Sequence, residues 1–573
     1  MRYAIQCILV LVLFFVLFEA NAQPAFPGAE GFGASASGGR GGKVIYVTNL
    51  NISGPGSLSE ALQTEGPRYI LFKVSGVIPG TLSVPAGRGD FTLAGQTSPA
   101  GIILRGLEMY NESQPSVSNI IIRHIRSRIG DRTKFPTANW LAEDGITLGG
   151  VHNAMIDHCS FQHAADEAVD ISRSGRLTIQ HCILGETLGG HANLGGMLIN
   201  YSESSSVLDS ISIHHNIWNR IGGRMPEISC ETPFCNGKTI HIELSNNLFW
   251  DPQIEQWYEG NTGFGGQFFV KMNSVKNVSI ARPTYSNGMF HHDLLHFTQN
   301  QLFFSGNKLN LYPQYTDYDL FYCCNDFPDG HPNTDFGIAN RSNQRFLFPE
   351  IGYHSTAELV DYIGQHVGAF PRDQMDHRMM MPVLQNQMLS LPVDQAGADD
   401  AFLVENNVLP PADGDSDGMP DYWEEVMGGN PLVQDHNLTT FSQSVTGTSG
   451  YTNLECYLNC LSDALVNGYT TSNCQIKGFP TFVQNDIWYP QTLRIIPNPG
   501  FDEIRLSFDK NGFVSSFDIE IFNMFGKSVK QISSYQADTK IDISELTGGL
   551  YILSAKDPVN GEVLSSEKFV ISK

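Results

Sequence analysis

The chain is patterned by short apolar runs separated by turns. From about Tyr69 these runs fall at 69–74, 91–94, 101–104, 119–122, 154–156, 177–179, 211–213 and 240–244, and most are β-branched. The later runs share an end-motif. It reads I-R-H-I from Ile122, I-D-H-C from Ile156, I-Q-H-C from Ile179, I-H-H-N from Ile213 and L-S-N-N from Leu244, at intervals of 34, 23, 34 and 31. A coil of roughly 22–24 residues with insertions accounts for those intervals, and self-similarity on this scale indicates a solenoid. No amphipathic helices alternate with the runs, so a right-handed parallel β-helix is expected rather than an α/β barrel. His124, His158, His181, His215 and Asn246 then stack at one turn as a hydrogen-bonding ladder. Cys159 and Cys182 stand at equivalent places in successive coils, as stacked core thiols.

The flanks read differently. Arg2, an apolar run over 8–18 and the small-residue site Ala20-Asn21-Ala22 predict a signal peptide over 1–22. The Gly-rich stretch 24–43 has neither the preceding strand nor the G-K-[ST] ending of a phosphate loop, and is expected to cap a first strand over 44–48. A short helix is expected over 57–62 and an amphipathic one over 356–366, from the spacing of Leu359, Val360 and Ile363. The β-helix is assigned to 23–400, with final coils and long loops after 251. Residues 401–478 are read as a calcium-loop and linker unit. From 488 to 573 the alternating runs Ile504–Phe508, Phe517–Phe522, Lys540–Ile543 and Gly549–Leu553 suit a small β-sandwich. The expected fold class is therefore all-β.

Composition narrows the function. The 573 residues carry a net charge of -24, and no basic stripe is present to release counterions from phosphates, so nucleic acid is excluded as a partner. A polyanionic substrate would need local cationic help. Ten cysteines are present and Cys7 leaves with the signal peptide. Cys230 and Cys235 are close enough to clip a loop in an exported chain. A monomer is expected.

Carboxylates supply the candidate chemistry. The stretch 144–170 holds Asp144, Asp166 and Asp170, with the first two 22 residues apart, about one coil. Two carboxylates ~4 Å apart repel by ~4 kcal/mol at an effective dielectric near 20, so such a set needs a cation or a shifted protonation. An all-oxygen, flexible ligand set suits Ca2+. A second set, D-G-D-S-D-G-M-P-D-Y-W-E, places Asp413, Asp415, Asp417, Asp421 and Glu424 at positions 1, 3, 5, 9 and 12 of an EF-hand-type loop, with Gly418 at 6. His291-His292 lacks a partner in sequence and is read as structural.

Several motifs together resemble the pectate lyases of polysaccharide lyase family 1. They are G-A-E-G-F-G-A at Gly28, G-G-R-G-G-K-V-I-Y-V-T at Gly38, G-Q-T-S-P-A-G at Gly95, I-D-H-C-S-F at Ile156, D-E-A-V-D at Asp166, R-M-P at Arg224 and V-G-A-F-P-R-D-Q-M-D-H-R at Val367. The terminal segment is similar to the sorting domains of type IX secretion. The resemblance implies a calcium-dependent β-elimination of polygalacturonate, an acidic polysaccharide, by a secreted or cell-surface enzyme. It places calcium on Asp144, Asp166 and Asp170, neighbouring support on Asp157, and the catalytic arginine on Arg224, with Arg220 as the alternative. Ser229 stands where the family usually has a second basic residue, and His191 is the candidate to compensate. Arg126 and Arg128 are read as grips for substrate carboxylates. Two rival classes keep the same fold: a non-catalytic polysaccharide-binding protein, which would not need Arg224, and a hydrolase working through paired carboxylates and a water.

Overall fold

In the computed structural model, each full coil lays a short strand into each of three parallel sheets. The structure describes residues 23–110, 117–130, 144–188, 195–201, 208–230, 232–252, 267–295, 297–322, 327, 338–388, 400–404, 408–468, 493–496, 502–508, 517–523, 527–535, 539–556 and 563–571. A ten-stranded sheet runs in chain order from Lys43–Val47 to Gln301–Ser305. A nine-stranded sheet runs from Gly76–Val77 to Lys308–Leu309, and a six-stranded sheet from Leu82–Ser83 to Glu227–Cys230. The architecture is a parallel β-helix, as the recurring apolar runs predict.

Register explains why these runs fold this way. Ile120, Ala154, Leu177, Ile211, Ile242, Met272 and Leu302 each pair with the next in parallel register and form one fully buried column of the core. Fully burying an aliphatic side chain of this size stabilises by roughly 1.5–3 kcal/mol. The turn residues form a second column. His124, His158, His181, His215 and Asn246 all take left-handed backbone, φ 55°, 50°, 51°, 54° and 49°. The imidazoles stack at centroid distances of 5.2, 4.8 and 5.2 Å. The residue after each turn points inward, giving the column Cys159, Cys182, Asn216, Asn247, Asn277, Asn307. Asn247 Nδ2 donates to the Ile213 carbonyl and to Asn277 Oδ1, while its Oδ1 accepts from Asn216 N and Nδ2. Cys159 and Cys182 are free, buried thiols at the head of this ladder, and Cys230–Cys235 is a disulfide.

The Gly-rich N-terminal stretch does more than cap the first strand. It crosses the outer face of the ten-stranded sheet, with Gly33 N donating to Thr178 Oγ1 and Gly39 N to Thr92 Oγ1. A Cβ on Gly33 would stand 2.0 Å from the Ala154 carbonyl oxygen, so backbone can lie this close to backbone only without a side chain.

Six helices decorate the described residues: α1 (Leu58–Gln63), α2 (Leu359–His366), α3 (Gln374–Leu384), α4 (Asp421–Met427), α5 (Ser442–Thr446) and α6 (Asn453–Asn467). Ser57 caps α1 by accepting from Glu60 N. Leu359, Ile363, Met375 and Met379 of α2 and α3 pack on Ile183, Ile217 and Leu248 of the nine-stranded sheet. Trp423, Leu454 and Leu458 of α4 and α6 pack on Tyr69, Leu71 and Ala94 of the ten-stranded sheet. The calcium-loop segment thus belongs to the same compact unit as the β-helix.

The described residues from 493 on lie in a second unit. It has an antiparallel three-stranded sheet (Leu493–Ile496, Glu503–Phe508, Lys540–Asp542) and an antiparallel four-stranded sheet (Ser528–Tyr535, Phe517–Asn523, Gly549–Lys556, Val563–Ile571). Ile504, Leu506, Ile519, Ile521, Leu553 and Phe569 share its core, consistent with a β-sandwich.

Truncating Asn247 would leave Asn216, Asn277 and two carbonyls without their buried partners. Asn247→Ala is expected to lower unfolding stability by about 3 kcal/mol, measured by denaturant titration, since each unsatisfied buried group costs about 1–3 kcal/mol.

Candidate active site

The six-stranded sheet carries the acidic residues. Its strands Leu107–Tyr110, Ile146–Gly149, Val169–Ser172, Met197–Tyr201 and Glu227–Cys230 stack so that Glu108, Thr147, Asp170, Leu198 and Glu227 form one column. A second column two residues along holds Tyr110, Gly149, Ser172, Asn200 and Ser229. Tyr110 is 49% exposed and lies under the Arg173 guanidinium, 4.7 Å from its ring centroid. No sequence motif marks this Tyr–Arg pair; the register alone brings it next to the acids.

Asp144 and Glu167 stand at the entry to two of these strands. The Ile146–Val169 register repeats at 23 residues, so Glu167 lies beside Asp144 and Asp166 falls one residue short. Asp144 Oδ1 accepts from Glu167 N at 3.2 Å, and its Oδ2 accepts from Thr147 Oγ1 at 2.9 Å. One carboxylate oxygen from each of Asp144, Glu167 and Asp170 lies within 4.8 Å of the other two. Oxygens bound to one calcium at roughly 2.3–2.6 Å stand at most about 5 Å apart, so the spacing fits that ion. Asp144, Glu167 and Asp170 thus meet, and Asp166 acts on them through its charge.

The electrostatics record the crowding. Burial, then the charges of Asp166, Asp144 and Asp170, push Glu167 up to about 9, against a counter-pull from Arg224. Burial likewise raises Asp144, with Asp166 adding to the shift. Arg224 is the cation of the site. Its Nη1 binds Glu167 Oε1, and its Nε donates to Glu227 Oε2 at 2.7 Å. Burial pulls the guanidinium down, but Glu167 and Glu227 more than reverse this and its pKa is raised. Glu167 is thus shared between the acidic cluster and the arginine.

Three expected groups sit elsewhere. Arg126 and Arg128 are 1% and 0% exposed, on the nine-stranded sheet beneath α3. Arg126 Nε pairs with Asp376 at 2.8 Å, and Arg128 Nη1 with Asp373 at 2.6 Å. Burial pushes Asp373 up, but Arg128 and Arg126 overcome it and the carboxyl is lowered. These arginines anchor a helix and cannot grip substrate; that expectation is corrected. Arg220 is also buried, pairing with Glu186 at 3.2 Å, and is removed as the alternative to Arg224. Asp157 is buried among Arg123, His158, His181 and Gln180 at the imidazole turn, and is lowered despite burial because His158 and Arg123 stabilise its charge. His191 lies outside the described residues.

A second acidic group forms at the loop. Asp413, Asp415 and Asp417 converge within 4.8 Å, as do Asp417, Glu424 and Asp435. Asp421 is in neither triad. It opens α4, and its Oδ1 accepts from Gly414 N at 2.6 Å. His291, His292 and Asp293 also lie close together.

The chain is similar to several known proteins. Residues 494–572 match the family described as "Secretion system C-terminal sorting domain". The chain is 29% identical over 455 residues to "Probable pectate lyase C" of Emericella nidulans, covering 77% of this chain and 94% of that one. It is 28% identical over 463 residues to the protein of that name from Aspergillus flavus, covering 78% and 96%. Among solved structures, the pectate lyase of Acidovorax avenae aligns at 14% identity and TM-score 0.38, covering 62% of this chain and 98% of that one. The cedar-pollen allergen jun a 1 aligns at 15% and 0.37, covering 62% and 97%. At those scores they add nothing to the strand pairing described above.

Glu167 (about 9) and Glu424 (pushed up to about 8 by burial and then Asp417, Asp415, Asp435 and Asp413) are raised from an ordinary 4.5. Folded-state pKa values above the unfolded ones contribute stability that is present below about pH 4.5 and lost as pH rises through the folded values. In chelator, the melting temperature is expected to fall from about pH 7 to about 9, and saturating calcium to flatten that fall, because metal-bound carboxylates hold no proton to lose. Differential scanning calorimetry reads this directly; equal slopes with and without calcium would contradict it.

Proposed function

We propose that this relative of the pectate lyases, exported with a secretion-system sorting domain at its C-terminus, is a calcium-dependent lyase that cleaves polygalacturonate by β-elimination. The chain is a pectate lyase-like enzyme and a secreted or cell-surface protein. The reading of metal, substrate and residue roles rests on one observation: Asp144, Glu167 and Asp170 converge, and Arg224 is bonded to one of them.

The residues present fit a hard divalent ion, because their donors are all carboxylate oxygens and burial raises two of them in its absence. When bound there, calcium supplies the charge that neutralises a uronate carboxylate and stabilises the enolate formed from it. The protein residues do the rest. Elimination requires a base to take the C5 proton while the electron pair moves toward the carboxylate and the C4–oxygen bond breaks; the departing sugar oxygen takes a proton from solvent. We assign this to Arg224. Glu167 and Glu227 engage its Nη1 and Nε, so Nη2 is the corner left for a sugar ring. Those same carboxylates hold its proton, and neutralising Glu167 within the cluster weakens that hold. Tyr110 offers an exposed ring on the same sheet face, suited to stacking on a sugar.

Formation of the unsaturated product, followed by ultraviolet absorbance, tests the proposal. Polygalacturonate with calcium is expected to give the signal and chelator to abolish it. Arg224→Lys should lose on the order of 10²–10⁴-fold in kcat, the scale of a positioned base, while still binding calcium. Full activity in that variant would remove Arg224 from the base role. Polymer binding with no product would favour the non-catalytic reading, and reducing ends without absorbance the hydrolase.

Glu227→Gln removes one carboxylate that holds the Arg224 proton. The rising alkaline limb of the pH–kcat profile is therefore expected to move to lower pH. Tyr110→Ala should raise KM with little change in kcat.

A further inference from the structure

We propose that Asp413, Asp415, Asp417 and Glu424, completed by Asp435 from outside the twelve-residue loop, form a structural calcium site that locks residues 413–467 onto the first coils of the β-helix. The inference uses none of the residues of the lyase site and stands apart from that reading.

The first observation is convergence. Asp417 belongs to both acidic triads, with Asp413 and Asp415 on one side and Glu424 and Asp435 on the other, so it joins the two. The second is independent of it. Glu424 is fully buried, and both of its carboxylate oxygens lack a hydrogen-bond partner. A buried carboxylate without partners is strongly disfavoured unless it meets a cation. Gly418, at φ 103°, makes the sharp turn that brings the ligands round. Five carboxylates select a hard ion, and their adaptable geometry suits calcium, with the His436 Nδ1 nearby, 4.0 Å from Asp417 Oδ2.

Asp435 explains what such an ion would hold. Its amide donates to Asp417 Oδ2 at 3.0 Å, and its Oδ1 accepts from Asn453 Nδ2 at 3.1 Å, at the first residue of α6. His436 O accepts from Leu454 N, and Asn437 Nδ2 donates to Gly42 O at 2.9 Å, just before the first strand. The segment after the loop therefore ties the ligand set to α6 and to the start of the β-helix together. From there α6 is fastened along the ten-stranded sheet. Arg40 pairs with Glu455 at 2.8 Å, Tyr69 Oη meets Thr452 Oγ1 at 3.0 Å, and Arg123 Nη2 donates to Ser462 Oγ at 2.8 Å. Tyr46, on the first strand, donates its hydroxyl to Asp413. Beneath these bonds, Met419 and Trp423 bury against Tyr69 and Leu71. Without the ion, five carboxylates repel one another at this joint; with it, the joint closes.

The test uses the full chain, calcium calorimetry and hydrogen exchange of α6. The wild type is expected to bind two calcium ions and to show calcium-dependent protection of the amides of Asn453–Asn467. Asp170→Asn should lose one binding event and keep the α6 protection. Glu424→Gln should lose the other event together with that protection, yet melt in chelator no lower than wild type, because the amide brings no charge into the buried site. Asp435→Asn keeps an acceptor for Asn453 but drops a ligand charge, and should weaken this event by on the order of tenfold or more. Calcium-dependent protection of α6 that survives Glu424→Gln, unchanged affinity in Asp435→Asn, or no calcium effect on α6 in the wild type would each overturn the proposal.

Discussion

The in-register stacking of one coil on the next is the constraint from which the rest follows. A parallel ladder sets each side chain directly over its counterpart one coil away, so a residue choice in one coil becomes a column in several. Where the column is apolar, as from Ile120 to Leu302, it is the core. Where it is Asn216 to Asn307, each amide satisfies the next and the turn beside it is held in left-handed backbone. Where it is imidazole, rings stack. The same rule applied to carboxylates has a different consequence, because like charges in register repel, and a folded coil can hold them only with a counter-ion or a proton.

That consequence separates the two kinds of charge in this protein. Arg126 and Arg128 are stacked inside, but α3 brings Asp373 and Asp376 to meet them, and the set is neutral within itself. Against Asp144, Glu167 and Asp170 stands Arg224, bonded to Glu167 and divided between it and Glu227. Carboxylates gathered in this way at a partly exposed face are what a cation site requires. Glu167 couples the two halves: whatever neutralises it at the cluster also loosens the arginine.

Much of this was legible in the chain. The 23-residue interval between Ile156 and Ile179 is the true coil repeat at this place, and the recurring apolar runs and turn residues predict the β-helix. The same interval, counted from Asp144, lands on Glu167, so the carboxylate that meets Asp144 and Asp170 carried a signal that a 22-residue count passed over. Other errors had no local signal. Nothing near Arg126 and Arg128 tells that a helix some 250 residues later covers them; a three-residue strand with alternating arginines looks exposed until α3 is in place. Asp435 lies beyond the loop pattern and joins it only through tertiary packing, while Asp421, at the start of α4, accepts from Gly414 N.

The central claim is that stacked coils gather Asp144, Glu167 and Asp170 around one divalent ion facing Arg224. A crystal structure grown in calcium, with anomalous difference density collected to locate the ions, tests it most directly. A peak is expected, bounded by carboxylate oxygens of Asp144, Glu167 and Asp170, on the Arg224 side of the six-stranded sheet. Peaks at the Asp413–Asp435 loop with none at that position, in crystals saturated with calcium, would contradict it.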